Sequence, residues 1–80
     1  MKLYYIHQDQ NDGYDTYDSA VVAAESEEAA RATHPSTNNG CWNDTYPSWA
    51  NSPEHVGVRL LGEALPNVSA GVICSSFNAG

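Results

Sequence analysis

Four sets of residues in this chain have types and spacings that could do chemistry. Asp9, Asp12, Asp15 and Asp18 recur at every third position around Gly13, which is the composition of an oxygen-rich calcium loop. The register fails. With Gly13 at the sixth loop position, Gln8 falls first, Gln10 third and Ser19 twelfth, so an EF-hand is excluded and at most a looser divalent site is left. His7, His34 and His55 are zinc-type ligands, but none stands at a tight ligand spacing from another. Cys41 beside Trp42, with His34 upstream, offers a thiol and an imidazole. A reactive thiolate needs electropositive surroundings, which this stretch lacks. Ser75 and Ser76 have no G-x-S-x-G context. No catalytic residue and no metal ligand is assigned, no cofactor is expected, and the chain is read as non-enzymatic.

What is left is a binding constellation. Tyr14, Tyr17, Trp42, Tyr46 and Trp49 supply aromatic planes, and Arg31 and Arg59 are the only guanidinium groups. His34, Ser76 and Asn78 are able to hydrogen-bond a base edge or a ribose. Stacking combined with one or two arginines is how proteins hold unpaired bases. The expected ligand-binding set is Tyr14, Tyr17, Arg31, His34, Trp42, Trp49, Arg59, Ser76 and Asn78. In that set Trp42 or Trp49 stacks on a base and Arg59 pairs with phosphate, while His34, Ser76 and Asn78 fix orientation. A plainer assignment stands beside it: Arg31 pairs with Glu27 one helical turn earlier.

The elements that must position these groups follow from periodicity. Lys2 to Gln8 alternates and is rich in Tyr, Ile and Leu, which predicts a first strand. Asp12-Gly13 is a turn signal, and Ser19 to Ala24 predicts a second strand, paired with the first through a loop longer than a minimal turn. Ser26 is a good N-cap, with Glu27 and Glu28 at the positive end of the dipole and Arg31 at the other. A short helix is expected from about Ser26 to about Thr33, because Pro35 disfavours helical geometry at His34. His55 to Ala64 predicts a third strand with Val56, Val58 and Leu60 on one face. The last ten residues, Gly71 to Gly80, read as a buried closing strand, because disordered tails are poor in β-branched and aromatic residues. Residues 35–54 hold three prolines, Gly40 and two tryptophans. A loop of that length either carries function, here as an aromatic lid, or uses its tryptophans to cap an open end of the core. The expected fold is α+β: a four-stranded antiparallel sheet with one short helix, in the order β-β-α-β-β, plus a long aromatic-rich loop.

Eighty residues allow a single domain spanning 1–80. A chain this short has a thin core, so self-association as a homo-oligomer is expected. The formal charge is −7, ten acids against Lys2, Arg31 and Arg59. That excludes a phosphate-neutralising face for duplex nucleic acid. The acids either keep the protein soluble or imitate nucleic acid towards a basic partner. Two cysteines are too few for a disulfide framework, and no apolar stretch reaches signal-peptide or membrane-spanning length. A cytosolic protein with free thiols is expected.

One resemblance spans most of the chain. Tyr14-Asp-Thr-Tyr-Asp-Ser-Ala-Val-Val-Ala-Ala, the acidic alanine-rich helix, His34-Pro35, a Trp-containing loop, Val-x-x-Leu-Gly-Glu and Gly71-Val-Ile-Cys-Ser-Ser-Phe-Asn-Ala-Gly together resemble a family of small uncharacterised bacteriophage proteins. The two ends are its most specific parts. It implies a phage protein in the host cytoplasm, and by analogy with other small phage proteins an anti-defence role. The leading expectation is sequestration, without catalysis, of a small nucleotide-type immune signal. The alternative is an acidic, anti-CRISPR-like inhibitor that blocks a basic host defence protein.

Overall fold

The computed structural model describes residues 1–36, 42 and 48–78. Its elements are β1 (Lys2–His7), β2 (Thr16–Ala24), α1 (Glu27–Arg31), a 3₁₀ turn (Pro53–His55), β3 (Gly57–Glu63) and β4 (Gly71–Asn78). They build one antiparallel sheet in the order β3-β1-β2-β4. The expected α+β architecture is present: four strands, one short helix and the β-β-α-β-β order. Half of the 35–54 segment, with Cys41 and Tyr46, lies outside the described residues.

Alternation decides the faces. Tyr4 and Ile6 of β1 sit opposite Val22 and Ala20 of β2 and opposite Leu60 and Val58 of β3. Tyr4, Ile6, Ala20, Val22 and Ala24 are buried and share a core with Ala30, Trp49, Ala50 and Val56. Alanine at position 30 lets the helix backbone lie close to the sheet. The small side chain contributes little area itself, and the large buried groups Trp49, Ile6, Val22 and Val56 supply most of it.

Helix α1 is short for reasons visible at both ends. Ser26 Oγ accepts from the Ala29 backbone N–H at 3.1 Å, and Glu27 and Glu28 occupy the first turn. At the other end Thr33 Oγ1 donates to the Ala29 carbonyl at 2.9 Å, and the helix closes at Arg31 rather than Thr33. Ser26→Ala is expected to destabilise the fold by about 1 kcal/mol, read as a lowered urea midpoint at unchanged slope.

The boundaries shift elsewhere too. Strand β2 begins at Thr16 instead of Ser19, because Thr16 and Tyr17 pair with Asn78 and Phe77 while Asp18 is skipped in a bulge. Strand β4 is held in the sheet as expected, but it is not buried. It lies at the sheet edge, with Ile73, Cys74, Ser75, Ser76 and Phe77 exposed. Apolar character in the sequence marked it as a strand without saying that one side would lack a strand neighbour among the described residues. Gly71 opens β4 at φ +138°, a conformation that side chains rarely adopt.

Candidate functional site

The helix-side group comes together as core. His34 is 7% exposed, and its Nδ1 accepts from the Ser36 N–H at 3.0 Å. Its ring meets Trp42 edge-on at 5.2 Å and lies 6.5 Å from Trp49. Trp49 is fully buried, so neither of its faces is open to a base. Arg31 donates through Nη1 to the Val56 carbonyl, and its Nη2 lies 3.6 Å from Glu27 Oε2. The plainer assignment of Arg31 is therefore present, with the backbone bond added to it.

A second group gathers at the hairpin end. Tyr17 packs on Phe77, ring centres 4.7 Å apart. Asn78 Nδ2 donates to Asp18 Oδ1 at 2.8 Å. Tyr14 is 81% exposed and, with Asp12, Gly13 and Asn78, lines a shallow depression. Carboxylates at Asp12 and Asp15 make this corner a poor seat for phosphate.

Arg59 and Ser76 fall on the face of the sheet that α1 does not cover. Pairing sets out its rows. Arg59, Tyr5, Val21 and Cys74 form one row across the four strands, and Gly57, His7, Ser19 and Ser76 form the next. Tyr5 and His7 stack, with ring centres 5.4 Å apart and planes 28° apart. The His7 ring lies over Gly57, where an added Cβ would fall 2.2 Å from His7 Cε1. The absence of a side chain at Gly57 is what lets the imidazole lie down on β3. A groove of about 350 Å³ opens beside it, lined by His7, Asp9, Glu54 and His55 among others.

The nine residues expected to bind ligand are thus divided among the core, the hairpin end and the open face. Tyr5, which sequence reasoning missed, and His7, which it weighed only as a zinc ligand, complete a surface among the described residues where aromatic planes and a guanidinium adjoin. Their signal was available: they are two apart on β1 and out of phase with Tyr4 and Ile6. Among the described residues, no three His, Cys, Asp or Glu side chains gather as a metal site. No helix among them is long and apolar enough to cross a membrane. Comparison with protein-family models, curated proteins and solved structures found no significant match.

Proposed function

We propose that this chain is a non-catalytic binding protein that sequesters a small nucleotide-type ligand on its open sheet face. The observation that carries the reading is the Tyr5–His7 stack beside Arg59. Arg31 is occupied by Val56 and Glu27, whereas Arg59 is exposed and its guanidinium has no hydrogen bond or ion pair among the described residues. A flat ring fits the stacked pair, and one anionic group fits the guanidinium. With a single arginine available in a chain of charge −7, the ligand carries few phosphates. The net repulsion is weak beyond the Debye length of about 8 Å at physiological salt. The phage anti-defence setting is supported by the resemblance of the chain's two ends.

Calorimetry against cyclic di- and trinucleotides and ADP-ribose derivatives tests this, with the released ligand weighed to show that it is unmodified. A ligand at a hundred times its Kd should stabilise the fold by about 2.7 kcal/mol. Tyr5→Ala and Arg59→Ala are each expected to weaken binding at least about tenfold, the loss of roughly 1.4 kcal/mol, while Tyr14→Ala leaves it unchanged. Full-strength binding in the Tyr5→Ala/Arg59→Ala double variant, or no binder at all, refutes the site.

The acidic-inhibitor reading keeps one observation of its own. Asp9, Asp12, Asp15, Glu25, Glu27, Glu28, Glu54 and Glu63 are exposed. Among the described residues only Glu27 is in an ion pair. They fall towards the two ends of β2 instead of forming a spaced row. Capture of a basic host protein that is lost steeply with salt would favour this reading.

A further inference from the structure

We propose that β4 is the subunit interface of a homodimer, pairing antiparallel with β4 of a second copy to make one continuous eight-stranded sheet. The support is independent of any ligand. Edge strands that remain single are usually guarded by charge, proline or a bulge that turns the edge away. Edge strand β3 has such a guard in the charges of Arg59 and Glu63; register shifts mark the inner pairing of both edge strands and do not distinguish them. Strand β4 runs Gly-Val-Ile-Cys-Ser-Ser-Phe-Asn, eight residues with no charge and no proline, and Ile73 and Phe77 are about half exposed. Its two bulges lie in the pairing with β2.

The occupant follows from symmetry and charge. An antiparallel strand pair is self-complementary about a two-fold axis, so β4 needs only another β4. The acids lie at the hairpin and helix ends of β2, leaving β4 neutral. In the paired dimer β2 and its counterpart are separated by three strand spacings, about 14 Å. That exceeds the Debye length of about 8 Å at physiological salt but not the roughly 30 Å at 0.01 M. Self-association therefore strengthens as salt is added, opposite to capture of a basic partner.

The register is also constrained. Close and wide pairs alternate along an antiparallel ladder, so a two-fold axis passes midway between a residue and its own copy facing it. Greatest overlap of Gly71–Asn78 puts Cys74 or Ser75 at that position. Such facing residues have Cα atoms about 4.5–5.5 Å apart, within disulfide reach.

Sedimentation velocity on the full chain, over a concentration series and from low to physiological salt, tests the interface. A species of twice 8.6 kDa that weakens at low salt is expected. Ile73→Lys should weaken it at least tenfold while circular dichroism stays unchanged. In a Cys41→Ser background, copper-phenanthroline should cross-link the dimer through either native Cys74 or, in Cys74→Ser/Ser75→Cys, position 75. A monomer at every salt, an undiminished dimer in a folded Ile73→Lys variant, or no cross-link at either position overturns the proposal.

Discussion

Replacing Trp49 with alanine is expected to destabilise the protein by about 3–5 kcal/mol, the usual result of emptying a fully buried large aromatic site. Trp49 is the largest completely buried side chain among the described residues and touches the cluster formed by Ile6, Val22 and Val56. An 80-residue domain has only about 4–12 kcal/mol of stability in total, so this variant should melt near ambient temperature. Trp49→Phe is the informative companion. Among the described residues Trp49 Nε1 is buried without a hydrogen-bond partner, so removing it forfeits none of their bonds and the change is mainly one of volume. The phenylalanine variant should lose less than half as much as the alanine variant in urea unfolding. Equal losses would mean that the indole N–H has a partner after all. A near-silent Trp49→Ala would mean that the residue is not core.

Arg31→Ala is expected to destabilise the protein by about 1–3 kcal/mol, because it leaves the carbonyl of buried Val56 without its donor. Glu27→Gln should lose less than about 0.5 kcal/mol, since the Arg31–Glu27 pair is long and Glu27 is 64% exposed. The two losses, compared by urea denaturation at low and high salt, separate the backbone bond from the ion pair. If Glu27→Gln matched Arg31→Ala, the surface pair rather than the link from helix to β3 would be the arginine's main role.

Architecture was readable because the apolar period switches cleanly along the chain. Val56, Val58 and Leu60 alternate, Ser26 caps, and Pro35 sets an outer limit on the helix, which closes earlier, at Arg31. These cues are local, and local chemistry decided them. Sheet order was not readable, since nothing in Gly71–Asn78 says which strand it joins or that, among the described residues, no strand lies on its far side. Trp49 shows the limit for the site. An aromatic in a proline-rich segment reads equally as lid or as core, and only its packing with His34 and Val56 decides. Arg59 was singled out for its rarity, but its neighbours Tyr5 and His7 were not, because cross-strand adjacency depends on register, which periodicity alone leaves free.

The pairing of distant segments has a kinetic consequence. Strands β1 and β2 meet through a short connection, but His7 must find Gly57 and Thr16 must find Asn78. Both outer strands close long loops before their contacts repay the lost chain entropy. Folding is accordingly expected in the slow range of sheet-dominated domains, milliseconds to seconds, with the central hairpin formed early and flanked by unfilled edges. In that interval another copy's β4 competes with the chain's own β4 for the vacant side of β2, so exchange of that strand between copies is the hazard built into this topology.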